Sequence, residues 1–532
     1  MPETTRRDIA AALTFLEAGM RAHAEGRLDE AMAAIDAALR IEPDFPEALG
    51  FAGFILQDRG HALGAMKFYD RALAVRPDNA QIWFNRGILL SEAHRAADAL
   101  ASFERACALQ PRRADYHSNR AAALHDLGRL AEAVDACGQA LALDATQSKA
   151  ALNLGNALMR LGRYREARTA YERAIEIRPD YALAFCGLGI VAKELGFFDE
   201  AMRAFDKALE LAPESEEALS NRGCLQLLLG DFAQGWEGYE YRWSRGARPF
   251  PISSARFDCA SPASLEGQRI LVVNDHGLGD TIQFFRYVIL LVRAGATVTF
   301  SGPSKMRRLL ASSGVSVVWR EESDLSGSFD AMLPISSLPR AFGTRRETIP
   351  ASTPYIFAEP ERVARWRERL KGEGTRIGLC WQGNVDFRVD PRRSFAPEAF
   401  LPFTALEGVR LFSLQKGFDR GRLPEALACR LENLTEALDT GTDAFIDTAA
   451  MIAELDLVVT CDTSIAHLAG AMGRPVWLAL RHVAEWRWLT ERRDSPWYPT
   501  MRLFRCREGD DWQALAGEMA AEVRARRPVD KW

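Results

Sequence analysis

Two aspartates, each just beyond an aliphatic run and just before a helix, are the residues of this sequence best placed to do chemistry. The first is Asp280, which closes the stretch Arg269-Ile-Leu-Val-Val-Asn-Asp-His-Gly-Leu-Gly-Asp280. The run at 270–273 suits a parallel strand buried on both faces, and the apolar residues after Asp280 recur at helical spacing. The stretch therefore reads as strand, glycine-rich turn and helix. Gly277 and Gly279 let the backbone turn sharply and approach a ligand closely, while the new helix offers unpaired N–H groups and a positive dipole end to an anion such as phosphate. A carboxylate at that spot either caps the helix or acts as a base. The second aspartate is Asp462, in Asp456-Leu-Val-Val-Thr-Cys-Asp-Thr-Ser-Ile-Ala-His-Leu-Ala-Gly470. There Thr463 and Ser464 open a helix and His467 falls in its first turn. Hydroxyls, N–H groups and an imidazole converge, which suits a pyrophosphate and its sugar, although Asp-Thr-Ser is also a serviceable cap.

Smaller signals join these two. Ser413-Leu-Gln-Lys-Gly417 ends a strand with Gln415 and with Lys416, a cation able to meet phosphate. Trp381-Gln-Gly-Asn384 and Arg392-Arg-Ser394 complete the set, with Trp381 and Asn384 as further donor-binding candidates. No Gly-x-Gly-x-x-Gly and no Walker A sequence occurs, which argues against a dinucleotide cofactor and a P-loop. No Asp-x-Asp pair, of the kind that bridges a divalent ion to a sugar nucleotide, occurs in the second half. Neither a cofactor nor a metal is expected.

The elements that must position these residues alternate. Strand-like runs at 297–300, 315–319 and 331–334, with a helix from Ser304, follow the first motif. A basic helical stretch at 361–371 then precedes strands at 376–381, 410–414, 457–461 and 476–480 and a closing helix at 512–526. Alternation of this kind predicts two Rossmann-like domains, 268–360 and 361–532, with a cleft at the strand ends.

The first half is built differently. Stepping by 34 residues finds glycine at Gly26, Gly60, Gly128, Gly162, Gly196 and Gly230, with His94 the exception. Proline keeps the same step at Pro43, Pro77, Pro111, Pro179 and Pro213, and alanine at Ala38, Ala72, Ala106, Ala140, Ala174 and Ala208. This grammar resembles the tetratricopeptide repeat, a pair of antiparallel helices. About seven repeats fit in residues 1–245, and the fold expected is an α-helical solenoid followed by the α/β half. Asparagine recurs at one repeat position as Asn85, Asn119, Asn153 and Asn221. Either these amides bond neighbouring helices or, in resemblance to the asparagine ladder of eukaryotic O-GlcNAc transferase, they grip the backbone of a protein acceptor. Trp236, Tyr239 and Trp243 share one helical face and are expected to pack the repeats on the catalytic half. The proline- and serine-rich stretch 246–267 reads as a linker.

Composition narrows the classes. A chain of 532 residues needs several cores, and a formal charge of −5 leaves no basic footprint for nucleic acid. No apolar run of about 18 residues and no cleavable leader pattern is present, so a cytoplasmic protein without a membrane span is expected. The nine cysteines form no Cys-x-x-Cys pair and read as buried thiols.

Taken together, His-Gly-Leu-Gly-Asp-Thr-Ile-Gln-Phe-Phe-Arg-Tyr, Cys-Trp-Gln-Gly-Asn, Ser-Leu-Gln-Lys-Gly, the Asp462–His467 loop and Ser495-Pro-Trp-Tyr-Pro499 resemble the bacterial tetratricopeptide glycosyltransferases. Their catalytic half is similar to the heptosyltransferase family, glycosyltransferase family 9, of GT-B fold. The resemblance implies metal-independent, inverting transfer, with Asp280 as base and Asp462 to His467 binding a nucleotide-sugar donor. Arg388-Val-Asp-Pro391 departs from the more basic loop of the relatives. The implied acceptor is a Ser or Thr hydroxyl of a protein held by the repeats, with flagellin suggested by flagellin-modifying members. Transfer to a lipopolysaccharide or polysaccharide acceptor, or a non-catalytic repeat scaffold, are the alternatives.

Overall fold

The computed structural model describes residues 3–242, 265–322, 324–383, 393–418, 420–509 and 511–526. Trp243, most of the linker at 246–267, Asn384 and Arg388–Pro391 lie outside the described residues. The chain divides into two compact units, Met1–Glu194 with Asp199–Pro213, and Leu195–Phe198 with Glu214–Trp532.

The first unit holds twelve described helices, α1 (Glu3–Ala24), α2 (Leu28–Ile41), α3 (Pro46–Asp58), α4 (Ala62–Val75), α5 (Ala80–Glu92), α6 (Ala96–Leu109), α7 (Ala114–Asp126), α8 (Leu130–Leu143), α9 (Ser148–Leu161), α10 (Tyr164–Ile177), α11 (Ala182–Glu194) and α12 (Phe198–Leu211). Each pair is closed by the periodic glycine, which takes φ of 74° at Gly26 and 75° at Gly60. His94, the one departure from glycine, keeps the same left-handed backbone at φ 56°. The Arg95 N–H still reaches the Leu90 carbonyl at 2.8 Å, as Arg27 reaches Ala22 at 2.9 Å. The periodic alanines are buried, and a second glycine series explains how closely the paired helices approach. A Cβ on Gly53 would lie 2.6 Å from the Tyr69 ring, and Gly87, Gly155 and Gly189 meet Phe103, Tyr171 and Phe205 in the same way.

The second unit opens with α13 (Glu216–Leu229) and α14 (Phe232–Tyr239), which continue the 34-residue spacing but group with the sheets. The boundary by packing thus falls at 213/214, ahead of the compositional one near 245. Its cause is the aromatic face of α14: the Trp236 indole donates to the Thr344 carbonyl at 2.8 Å, and Trp236 and Tyr239 pack edge-on against Trp486.

Two parallel sheets follow, and with their strands alternate α15 (Leu278–Arg293), α16 (Arg307–Ala311), α17 (Leu338–Ala341), α18 (Pro360–Arg369), α19 (Glu425–Arg430), α20 (Ile446–Ala453), α21 (Ser464–Ala471) and α22 (Trp512–Ala525). One contains β1 (Arg269–Val273), β2 (Thr297–Ser301), β3 (Val318–Arg320) and β4 (Ala331–Pro334) in the order β3-β2-β1-β4. The other contains β5 (Thr375–Cys380), β6 (Val409–Ser413), β7 (Leu431–Glu432), β8 (Leu457–Cys461), β9 (Val476–Leu480) and β10 (Met501–Arg505) in the order β10-β9-β8-β5-β6-β7. The chain moves outward from β1 to β3 and then returns to the other side for β4. It does the same from β5 to β7 before returning at β8. Each sheet therefore reverses direction once, between β1 and β4 and between β5 and β8, and the crevice outside the carboxyl ends of such strands is where open α/β sheets bind ligands. Both aspartate motifs leave strands at those reversals.

Candidate functional site

The loop after β1 is fixed by its own side chains. Thr281 Oγ1 donates to Asn274 Oδ1 at 2.6 Å and lies 3.0 Å from the Gly277 carbonyl, and Asn274 Nδ2 donates to the His276 carbonyl. Asp275 points inward, fully buried, and accepts from the Ser336 N–H and from Arg242 at 3.0 Å. Tyr239 Oη lies 3.1 Å from His276 Nε2, so the end of α14 and Arg242 just beyond it brace this loop at two points. Gly277 caps α15 (Leu278–Arg293), and Asp280 occupies its first turn.

The loop after β8 is the counterpart. Every residue of β8 is buried, which suits its aliphatic run, and α21 (Ser464–Ala471) starts three residues after it. Asp462 accepts from the Trp488 indole at 2.8 Å. His467 lies with Nδ1 3.0 Å from Tyr498 Oη and stacks on Trp488. Its Nε2 faces Arg487 Nη1 at 3.5 Å. A guanidinium can only donate, so Nε2 takes the acceptor role and Nδ1–H donates to the tyrosine.

The two loops touch. A Cβ built on Gly279 would stand 2.9 Å from His467 Cδ2 and 3.4 Å from Ser464 Cα, so only glycine lets the starts of α15 and α21 come this close. Arg487 closes the group: Nη2 donates to Asp280 Oδ1 at 2.8 Å and lies 3.4 Å from Glu485. Asp280 keeps 21% of its side chain exposed, against 7% for Arg487. Leu489, just beyond, has φ 52° and ψ −170°, a backbone that L-residues rarely adopt. Arg505 secures it by donating to the Trp488 and Leu489 carbonyls. Arg286, on α15, is buried with no carboxylate partner among the described residues; it donates to the carbonyls of Pro350 and Trp497 and to Tyr355 Oη, tying α15 to the Ser495-Pro-Trp-Tyr stretch.

Charge follows from this packing. Burial alone would raise the Asp280 carboxyl, but Arg487, with His276 and His467, outweighs it and holds the group at about 2. Burial drives His467 down to about 3, aided by Arg487, so the imidazole is neutral at physiological pH. Burial pushes Asp462 above the ordinary carboxylate range, against the pull of Arg487. The site thus combines an ionised carboxylate, a fixed cation, a neutral imidazole and two helix starts, a set suited to receiving an anion beside a proton acceptor.

Of the residues the sequence nominated, Gly277, Gly279, Asp280, Asp462, Thr463, Ser464 and His467 come together. Three others are placed differently from what their types suggest. The Trp381 indole is 1% exposed and packs on Phe400 and Phe418 in the core of the second sheet, so this position offers a ligand only its backbone. Gln415 Oε1 accepts from the Trp381 and Gln382 N–H groups and shapes that loop. Lys416 is exposed and its ammonium sits on the Asp439 carbonyl at 2.8 Å. The Trp381 loop nevertheless adjoins the site, since a Cβ on Gly383 would lie 3.7 Å from Thr463 Cγ2 and the Gly383 N–H bonds Ser394. The asparagines are engaged by the repeat helices, Asn119 and Asn153 across to a neighbouring one. Asn85 accepts from Gln81, Asn119 donates to the Asp115 carbonyl and accepts from Lys149, Asn153 donates to the Ser118 carbonyl, and Asn221 donates to the Glu217 carbonyl. Arg487 and Trp488 stand in no motif read from the sequence, and Arg286 and Tyr498, though inside quoted motifs, have no role assigned there; the fold shows their part.

Tetratricopeptide-repeat models match residues 22–84, 68–101, 87–150 and 182–215, and a TPR repeat model matches 155–196. The N-terminal half of this protein is a tetratricopeptide-repeat array. Among characterised proteins it is similar to Protein FlbA of Caulobacter vibrioides, 27% identical over 321 residues, which cover 55% of this chain and 52% of that protein. The chain therefore spans about half the length of this relative. Among solved structures, MamA is 26% identical over 30% of this chain and 95% of its own, with a TM-score of 0.29. PilF of Pseudomonas aeruginosa is 23% identical over 40% of this chain and 96% of its own, with a TM-score of 0.36. A tetratricopeptide repeat protein of Parabacteroides merdae is 18% identical over 45% and 95%, with a TM-score of 0.39. No described helix is long and apolar enough to cross a membrane.

Proposed function

We propose that the protein is a glycosyltransferase of GT-B type, moving a sugar from a nucleotide-sugar donor to Ser or Thr hydroxyls of a protein acceptor recruited by the repeats. The observation that carries this reading is the contact of the two loops through Gly279, which sets Asp280 beside the start of α21. In this reading Asp280 accepts the proton of the acceptor hydroxyl while that oxygen bonds the anomeric carbon. The bond from that carbon to the donor phosphate oxygen breaks, and the nucleotide leaves with the electron pair. Attack opposite the leaving group inverts the anomeric centre. The N–H groups opening α21, Thr463, Ser464 and Arg487 meet the charge that develops on the phosphate, which requires no metal. Neutral His467, held by Tyr498, orders that helix start and adds no charge of its own. The repeat array raises the local concentration of the acceptor, and by family resemblance flagellin is the first acceptor to try. The test is intact-mass analysis of flagellin from cells with the protein, without it, and with Asp280→Asn. Sugar-sized increments present only with the wild-type protein are expected; identical masses in all three would refute flagellin modification.

A further inference from the structure

Arg487 stands between two anionic claims. One is on the page: Nη2 donates to Asp280 at 2.8 Å. The other follows from where the guanidinium lies. It is packed beside His467 in the first turn of α21, where Ser464 remains partly exposed, and its Nε is buried with no hydrogen-bond partner among the described residues. A buried N–H without an acceptor is costly, so this donor is one that an incoming anion satisfies. Burial works against the charge of the guanidinium, but the neighbouring carboxylates of Asp280, Glu485 and Asp462 outweigh it and hold the group above its ordinary value, so it stays charged. Asp280 cannot be a competent proton acceptor while it holds the guanidinium, because the ion pair stabilises its charged form.

Resting on the glycosyltransferase reading, we infer that Arg487 serves two anions in turn, neutralising Asp280 before the donor binds and turning to the donor's phosphate afterwards, so that nucleotide binding is what makes Asp280 basic. Asp280 and the phosphate then compete for one cation. The consequence is an order of events: the donor binds first, and the acceptor hydroxyl meets an activated carboxylate only in its presence. It also predicts that removing the charge of Asp280 strengthens nucleotide binding, which a residue serving only to hold Arg487 in place would not do.

The experiment is calorimetric titration of the full chain with CMP, UDP, GDP and ADP, choosing the nucleotide that binds the wild-type protein. Asp280→Asn should bind it roughly threefold to tenfold more tightly, since a carboxylate no longer competes for the guanidinium. Arg487→Gln should bind it at least about tenfold more weakly, and the double variant should show no gain over Arg487→Gln alone. Equal affinity of Asp280→Asn and the wild type, with Arg487→Gln weakened, would overturn the exchange while leaving glycosyl transfer intact. Failure of every nucleotide to bind the wild type would remove both readings. Should Arg487→Gln melt early, the Asp280→Asn comparison decides by itself, because Arg487 is untouched in it.

Discussion

The repeat array and the sheet-bearing unit assemble their essential contacts over opposite distances along the chain. In the array, Gly53 meets Tyr69 and the same contact recurs at Gly87 with Phe103, Gly155 with Tyr171 and Gly189 with Phe205. Each is local, and each has near copies. The site instead joins Asp280 to Arg487 across 207 positions and Gly279 to Ser464, and neither contact has a second copy among the described residues. A repeat can absorb the loss of one contact through its neighbours, since such arrays are stabilised by nearest-neighbour terms. The site has no such reserve.

Apart from removal of the base itself, the largest effect should come from pushing the two loops apart. Gly279→Leu places a side chain against His467 and against Ser464 backbone, which cannot swing aside as a flexible side-chain tip would. Displacement of about 1 Å at a reacting centre costs on the order of 100-fold in rate, so transfer should fall at least that far while helix content measured by circular dichroism is kept. Retained transfer would show that the loops act independently.

The pH dependence is next in size and belongs to the site. His467 is depressed to about 3, below its ordinary value near 6.5, so it contributes stability above pH 6.5 that is lost as pH falls toward 3. Between pH 6.5 and 5 this amounts to about 2 kcal/mol. Asp462, raised by burial, acts in the opposite direction, since its neutral form favours the folded state as pH drops. Comparing variants isolates the imidazole: the stability of His467→Asn, followed by denaturant unfolding, should decline less than the wild type over that interval. Parallel declines would contradict a neutral buried His467.

The smallest effect belongs to the array. His94 holds a left-handed backbone that glycine adopts freely, so His94→Gly should stabilise the protein by about 0.5–1 kcal/mol, read by thermal melting, with transfer unchanged. Destabilisation would mean that the imidazole makes a contact worth more than the strain.

Legibility in the sequence divides along the same line. A 34-residue period announces the helix pairs because each repeat obeys the same local rules, and even His94 keeps the conformation its position demands. In the second half, β4, β8 and β9 lie where aliphatic runs placed them, and β1 and β5 begin only one residue earlier than read. The run read as a strand at 315–319 forms β3 only from Val318 to Arg320. Two strands escaped. β7 has two residues, too few for any alternation, and β10 interleaves Arg502 and Arg505 with Met501, Leu503 and Phe504 at the sheet's edge, where beyond β9 it meets only a short bridge from Asp494 to Arg502 among the described residues. The aspartates were legible because turn glycines and helix starts surround them. Arg487 was not, being one of 67 basic residues with nothing local to distinguish it. Trp381, a donor-binding candidate by its place beside Gln-Gly-Asn, has its indole in the core of the second sheet, as befits an indole following a buried strand.

The central claim is that Asp280 takes a proton at a site where the nucleotide is held by other groups. It is tested most directly by single-turnover transfer with purified protein, donor and acceptor in the presence of EDTA. Asp280→Asn is expected to lose about 10³-fold in the rate of transfer while binding the nucleotide at least as well as the wild type. Turnover by Asp280→Asn within a few-fold of wild type would contradict the account.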